Sequence, residues 1–332
     1  MLLPSTHTAG LALLLVTLLC LSIWPILYKR AAVAGWRFEL FEIDFGLGAV
    51  LFSLLAAYTL GTLGREMSFI DRMLIAGRTA DAILIAAGVL FGFANMTLLA
   101  GISLLGLSIA LPIEFGTGAL VFSAFQIRDS HLNLALAGGA ASLLCLLLAS
   151  VASRAAAKPQ QRFRSTKGII LTIIGGLALG AFPALVKLTL DPEFGPGPYA
   201  IVLMFSVGIL VGTPIFNFFF MNIKVIGNQI GYRHYIGGGA PPHIAGFVAG
   251  MLVALGILCW LLVLNISGPE APGSLLCLLI PGIFVLVCVA IGANSWKELS
   301  GLRTSKSLVA ASIACFAAGL VLIGLSFAPL AL

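Results

Sequence analysis

One acidic side chain lies far from any other charge, inside a long apolar stretch. Glu114 is the single charged residue in the segment 102–125. A helix that begins near residue 102 places Glu114 about 18 Å along its axis, close to the middle of a hydrocarbon layer about 30 Å thick. A carboxylate at that depth costs roughly 2.5–3.5 kcal/mol, so it is expected to face protein, water or a solute rather than lipid. Glu114 is therefore a candidate solute ligand or proton-coupling carboxylate; a structural bond to carbonyls of a broken helix is the alternative.

Other polar and aromatic side chains in apolar segments could complete a solute site. Asn95 could bind a solute or join two helices, and the sequence leaves both open. Trp24 could stack on a ring-shaped solute or fill space beside a proline. Glu39, Glu42 and Asp44 are expected to form a water-exposed face at the membrane boundary. The predicted substrate-binding residues are Glu114, Asn95, Trp24, Phe182, Ser108 and Asn294, with Asn217 as a secondary candidate.

The composition predicts an integral membrane protein. The 332 residues are 60% hydrophobic and 9% charged, with a mean hydropathy of +1.13. Soluble domains carry about 25% charged residues. Runs of about 20 apolar residues predict about ten transmembrane helices. These runs span residues 9–28, 44–63, 80–98, 102–125, 132–152, 168–188, 199–221, 243–265, 274–294 and 307–327.

The same features exclude several classes of protein. The runs are continuously apolar rather than alternating, which excludes a β-barrel. The connections between them are short, so we expect no soluble catalytic domain. The six cysteines lack metal-ligand spacing, and we predict neither a metal nor another cofactor. The basic residues are confined to loops without interleaved aromatic residues, so the expected surroundings are the lipid bilayer and not a nucleic acid.

The loop charges predict an orientation in the cell membrane. Five basic residues fall on one side and thirteen on the other, which the positive-inside rule makes cytoplasmic. Both termini are then outside the cytoplasm, and the central loop 153–167 is inside. The outer set is Arg65, Arg72, Arg78, Arg128 and Lys187. The inner set is Lys29, Arg30, Arg37, Arg154, Lys158, Arg162, Arg164, Lys167, Lys224, Arg233, Lys297, Arg303 and Lys306.

Matched prolines indicate an internal repeat. The first and sixth predicted helices share an aromatic-Pro-x-Leu-x-Lys pattern at Pro25 and Pro183, and the fourth and ninth share a proline at Pro112 and Pro281. The chain thus reads as two five-helix repeats, 1–155 and 156–332. Since five is odd, the second copy is inverted. Paired interruptions of this kind point to a binding site in the middle of the membrane, although prolines also kink helices for packing alone.

The two repeats differ in polarity. The segment that ends at Asn95 in the third helix corresponds to one that ends at Ile257 in the eighth, and Glu114 corresponds to Ile283. The first repeat therefore carries the polar side chains. A solute bound between the repeats would receive directional hydrogen bonds from the first and a mainly apolar wall from the second.

The chain resembles the ten-helix branch of the drug/metabolite transporter superfamily, which includes plant ureide permeases, bacterial glucose/ribose porters and the rhamnose transporter. The resemblance covers nearly the whole chain and rests on short motifs. These are Trp24-Pro25, Phe41, Asp44, Gly61 to Gly64, Gly92-Phe-Ala-Asn95, Gly106-Leu-Ser108, His243, Gly246, Gly250, Gly256 and Trp296-Lys-Glu298.

Three departures limit what the resemblance implies about substrate. Ureide permeases place an acidic residue where this chain has Leu111, and Glu114 follows three residues later on nearly the same face. They carry an Asn where this chain has Ile257. The phosphate-binding motif of the plant proteins' central loop is absent from residues 161–168, so nothing supports nucleotide hydrolysis.

The resemblance implies a secondary transporter of a small polar solute, such as a sugar, ureide or nucleobase, working by alternating access. Uptake coupled to protons through Glu114 is the leading expectation. Export of metabolites by the same fold is the alternative, and a membrane-embedded lipid-modifying enzyme is a weaker one because it would need clustered ionisable residues. We expect no enzymatic activity; the sequence leaves monomer and homodimer open.

Overall fold

The computed structural model describes the chain except residues 4–5, 65, 127–131, 157–161, 192–193, 268–271, 300–302 and 327–332. Arg65, Arg128 and Lys158, which entered the charge count, lie outside the described residues. All regular secondary structure in the described part of the chain is helical. They are α1 (His7–Val33), α2 (Phe38–Tyr58), α3 (Phe69–Leu105), α4 (Leu107–Gln126), α5 (Leu132–Ala156), α6 (Arg162–Lys187), α7 (Pro198–Asn222), α8 (Tyr232–Ile236), α9 (Ala240–Ser267), α10 (Pro272–Ser295) and α11 (Arg303–Leu325).

The helices confirm an all-α, multi-pass membrane protein of about ten transmembrane helices. Within the described residues, nine helices are long and apolar enough to span a bilayer, and α10 adds a shorter apolar stretch, Ile280–Ser295. Each predicted apolar run corresponds to one long helix. Among the helices of the described residues, hydropathy does not predict the short α8, which lies in the connection between α7 and α9.

Two glycines with positive φ set helix boundaries. Gly106 has φ +89° and separates α3 from α4, and Gly77 has φ +77° and interrupts α3 near its start. Residues with a Cβ rarely adopt such angles, so glycine suits both positions. Another boundary differs from the prediction, since α2 begins at Phe38 rather than at residue 44.

The predicted prolines all lie inside helices. Pro25 is in α1, Pro112 in α4, Pro183 in α6 and Pro281 in α10. Each removes one backbone donor from its helix. Pro214 in α7 is a further intrahelical proline that the repeat did not single out. A role of the four matched prolines in forming a binding site stays a prediction.

The chain forms two compact units, each assembled from both ends of the sequence. Unit 1 comprises residues 1–96 and 182–269, and unit 2 comprises residues 97–181 and 270–332. The boundaries fall within α3 and within α6. Each unit therefore combines helices from both predicted repeats, so the units do not coincide with the halves 1–155 and 156–332. The repeat itself stays a prediction about the sequence.

Unit 1 is held together by two very close helix crossings. Where α2 crosses α9, a Cβ on Gly48 would overlap the carbonyl oxygen of Phe247, and a Cβ on Gly250 would overlap that of Phe45. Small residues at such positions let membrane helices approach backbone to backbone.

The crossing of α3 with α7 has the same construction. A Cβ on Gly88 would overlap the carbonyl oxygen of Phe205, and a Cβ on Gly208 would overlap that of Ile85. In both crossings, each glycine lies three residues after the residue of its own helix whose carbonyl oxygen approaches the glycine of the partner helix. Two copies of one structural unit would produce such a pair of crossings.

Unit 2 is built from α4, α5, α10 and α11 together with the remaining parts of α3 and α6. Phe115 of α4 meets Phe284 of α10 edge to face, with ring centroids 5.0 Å apart. Gly176 of α6 approaches α4 so closely that a Cβ there would lie 2.6 Å from the Glu114 carbonyl oxygen. This packing places residue 114 in the interior of unit 2.

Candidate functional site

Glu114 lies in the interior of unit 2 with its carboxylate unsatisfied. The residue is fully buried, with 0% of its surface exposed. Among the described residues, neither carboxylate oxygen has a hydrogen-bond partner. Buried polar atoms without a partner are rare in native structures and call for an explanation by function, bound water or a bound ion. The expectation that Glu114 faces away from lipid agrees with this position.

Glycines of α6 leave room for the Glu114 side chain. A Cβ on Gly175 would lie 2.6 Å from Glu114 Oε1 and would overlap the hydroxyl oxygen of Thr97. The carboxylate, the Thr97 hydroxyl and the bare backbone of Gly175 therefore share one small polar space between α3, α4 and α6. The fully buried Thr117 lies one turn further along α4, and its hydroxyl donates to the carbonyl of Ile113 at 2.7 Å.

Ser108 lies at the start of α4 and forms its hydrogen bonds there, with Glu298 and Val289 and not with Glu114. Its backbone N–H donates to Glu298 Oε2 at 2.8 Å, and that of Leu107 donates to Glu298 Oε1 at 3.0 Å. Its hydroxyl donates to the carbonyl of Val289 in α10 at 3.3 Å. A carboxylate on the free N–H groups of a helix N-terminus is a stabilising cap. The Trp296-Lys-Glu298 motif, which entered only through the family resemblance, thus supplies the cap of α4.

In unit 1, Asn95 is bound to a carboxylate that the sequence did not single out. Asn95 Nδ2 donates to Glu42 Oε2 at 2.6 Å, joining α3 to α2. Asn95 is 3% exposed and Glu42 is 1% exposed. The amide oxygen Oδ1 of Asn95 and the second carboxylate oxygen, Oε1 of Glu42, have no partner among the described residues.

The expectation of a water-exposed acidic face at the start of α2 is wrong. Glu39, Glu42 and Asp44 are 0%, 1% and 5% exposed. The reason is that α2 begins earlier than predicted, so all three belong to a packed helix. Arg37 pairs with Glu39. Glu42 turns to Asn95, and Asp44 turns to a different network.

Asp44 belongs to a polar network at one end of unit 1. Its Oδ1 accepts from the Tyr235 hydroxyl at 2.6 Å, and its Oδ2 lies 2.9 Å from Nδ1 of His243. The other ring nitrogen, Nε2, faces the carbonyl oxygen of Tyr235 at 3.1 Å. Both ring nitrogens of His243 thus lie within hydrogen-bond distance of an oxygen atom, one on Asp44 and one on Tyr235. Burial, and then the hydrogen bond to Asp44 and its charge, raise the pKa of Tyr235 above its usual range.

Trp24 and Phe182 both pack against other aromatic rings of unit 1. Trp24 is 4% exposed and meets Phe45 edge to face, at a centroid distance of 5.8 Å. Phe182 is half-buried between Phe91 and Phe205, at 5.4 Å and 5.6 Å. Both roles considered for Trp24, stacking on a solute and filling space beside Pro25, stay predictions.

The predicted site residues therefore divide between the units. Unit 1 contains Asn95, Trp24 and Phe182, and unit 2 contains Glu114, Ser108 and Asn294. Asn294, near the end of α10, is exposed. Sequence reasoning missed Glu42 as a site residue, because no local pattern indicates that α2 already begins at Phe38.

One comparison with known proteins shows the fold alone. A protein of known crystal structure aligns over 96% of this chain and 99% of its own, with a TM-score of 0.55 and 13% sequence identity. No protein-family model matches the chain, and no curated protein matches it. Membership of the drug/metabolite transporter superfamily stays a prediction from the motifs.

Proposed function

We propose that this protein is a secondary transporter that moves a small polar solute, such as a sugar, ureide or nucleobase, across the cell membrane by alternating access. Glu114 binds and releases one proton in each cycle. The observation that carries the proposal is a fully buried carboxylate, inside a membrane-spanning helix, whose two oxygens lack partners among the described residues.

The chemistry of a lone carboxylate supports this role. An unpaired charge in a low-dielectric interior is strongly unfavourable, whereas the protonated acid is neutral. A structural carboxylate would be expected to have its acceptors satisfied, as Glu298 has at the start of α4. Glu114 instead has free acceptors beside Thr97 and Gly175, where a proton can be taken up or lost when water gains access.

The solute itself must be found by binding. A screen of sugars, purines, ureides and amino acids against the purified protein should reveal ligands that raise its melting temperature, because a ligand that binds only the folded form stabilises it. The radiolabelled form of the best ligand then serves for transport in proteoliposomes, with uptake and efflux from preloaded vesicles measured separately.

The decisive variant is Glu114→Gln, which keeps the shape of the side chain and removes its titration. We expect the variant to retain solute binding and to lose stimulation of transport by an imposed pH gradient. The matched control is Glu39→Gln, which makes the same change at a buried carboxylate that has a basic partner. Transport with unchanged rate and unchanged pH dependence in Glu114→Gln would remove this residue from the mechanism.

A further inference from the structure

Unit 1 contains a second group of buried polar side chains, distinct from the surroundings of Glu114. Glu42 in α2, Asn95 in α3 and Asn217 in α7 are 1%, 3% and 0% exposed. Glu42 and Asn95 are joined by the 2.6 Å hydrogen bond described above.

The contacts between α2 and α7 place Asn217 at the depth of Glu42. The helices run antiparallel: Phe38 meets Phe220 at a centroid distance of 5.7 Å, and a Cβ on Gly46 would lie 3.3 Å from the Thr213 hydroxyl oxygen. Glu42 is midway between the two α2 residues of these contacts, four residues from each.

Asn217 occupies the corresponding place on α7. It follows Thr213 by four residues and precedes Phe220 by three, and residues three and four apart share one helix face. About two turns before Thr213, Ser206 on the same face of α7 forms a hydrogen bond with Ser53 of α2 at 2.8 Å. Asn217 is therefore in the middle of the α7 face that packs on α2.

The three side chains leave oxygens without donors. Oε1 of Glu42, Oδ1 of Asn95 and both amide atoms of Asn217 have no hydrogen-bond partner among the described residues. The basic residue closest in sequence, Arg37, is engaged with Glu39 and with the carbonyl of Asn228 at 2.8 Å. In the part of the chain that the structure describes, no basic side chain is bonded to this cluster of three unsatisfied oxygens and one carboxylate.

From this arrangement we infer that Glu42, Asn95 and Asn217 bind a monovalent metal cation such as sodium. Carboxylate and amide oxygens are the ligands of hard cations. One carboxylate is neutralised by one monovalent ion, whereas a divalent ion would leave a net positive charge buried in the bilayer. A proton on Glu42 would satisfy one oxygen, but a metal ion can contact the carboxylate and both amide oxygens together.

The test is cation-dependent stability of the purified full-length protein in detergent. Melting temperatures are measured in chloride salts of sodium, lithium, potassium and choline at one ionic strength and one pH. We expect a rise that saturates with sodium or another alkali ion and is absent in choline, because a ligand of the folded state stabilises it by mass action.

Variants identify the ligands. Glu42→Gln should abolish the alkali-ion effect, and Asn217→Leu should weaken the apparent affinity by about tenfold or more, equivalent to the loss of one ligand. Glu114→Gln, which makes the same change at the buried carboxylate of unit 2, should keep the effect. Asn217→Asp tests the site by a gain of binding, so it stays informative if the other variants fail to fold. With two carboxylates, the site should prefer calcium to sodium.

The inference is overturned if no salt stabilises the wild-type protein more than choline chloride does, or if Glu42→Gln retains the effect. Stabilisation that follows pH alone, at any cation, would show a proton site in place of a metal site. Because this assay measures binding and not transport, its result is independent of the role proposed for Glu114.

Discussion

Replacing Glu298 by alanine should destabilise the protein by about 2–3 kcal/mol. The side chain caps α4 with two hydrogen bonds, from the backbone N–H groups of Leu107 and Ser108 at 3.0 Å and 2.8 Å. A hydrogen bond to a charged group contributes about 1.5–3 kcal/mol. Glu298 is partly exposed, so the lower value applies to each bond and gives about 3 kcal/mol, while helix caps in general contribute up to about 2 kcal/mol.

Glu298 also lies directly against the turn that begins α4. Gly106 immediately precedes the capped residues, and a Cβ there would lie 2.7 Å from Glu298 Cδ, so the carboxylate sits directly against the turn. The helix that begins here carries Glu114. A frayed first turn of α4 is therefore expected to lower transport as well as stability.

The assay is thermal unfolding in detergent, with three variants compared. On the scale of domains of 150–250 residues, the expected loss corresponds to a fall in melting temperature of about 5–10 °C for Glu298→Ala. Glu298→Gln keeps one acceptor oxygen and should lose about half as much. Lys297→Gly is the control, because Lys297 is exposed and has φ +52°, an angle that glycine adopts without strain. A melting temperature of Glu298→Ala equal to that of the wild type would refute the capping argument.

Three further substitutions test other contacts. Gly88→Ala should cost about 1–3 kcal/mol of stability because its Cβ would overlap the backbone of α7. The control Gly92→Ala, whose Cβ would make ordinary contacts at 3.5 Å, should be neutral or gain up to about 1 kcal/mol from helix propensity. Equal melting temperatures of the two variants would contradict the close approach of α3 and α7 at Gly88. Tyr235→Phe removes a hydrogen bond to a carboxylate and should cost about 1.5 kcal/mol of stability. Because the pKa of Tyr235 is raised in the folded protein, this loss should be equal in melts at pH 6 and pH 8. It should shrink only as the pH rises above about 10, the pKa of tyrosine in the unfolded chain. Gly175→Ala places a methyl group against the Glu114 carboxylate and meets only side-chain atoms, so we expect a folded protein with reduced proton-driven transport in vesicles; a wild-type rate would separate this space from the mechanism.

The helices of this protein could be predicted from hydropathy because each transmembrane segment is a long apolar run. The start of α2 could not, since Glu39, Glu42 and Asp44 interrupt the apolar pattern and resemble a loop. Their burial depends on partners elsewhere in the chain. Asn95, for example, is 53 residues away from the carboxylate it binds.

The candidate sites were predictable to different degrees for the same reason. The isolation of Glu114 in its segment was enough to predict that it is buried. The cap of α4 joins residues about 190 positions apart, and no local pattern connects Ser108 with Glu298. The position of Asn217 opposite Glu42 likewise follows from the antiparallel packing of α2 on α7, which the sequence does not specify.

The two glycine crossings of unit 1 have a consequence for how this unit can respond to mutation. A contact between two backbones contains no side-chain rotamer that could adjust, so an added atom there must push the two helices apart. In a saturation-mutagenesis experiment we expect four positions at which even alanine lowers the melting temperature and larger side chains lower it further. Those positions are Gly48, Gly88, Gly208 and Gly250. The helix pairs α2–α9 and α3–α7 are therefore each held at one crossing point. Before one helix of a pair could slide along the other, the two backbones would have to move apart.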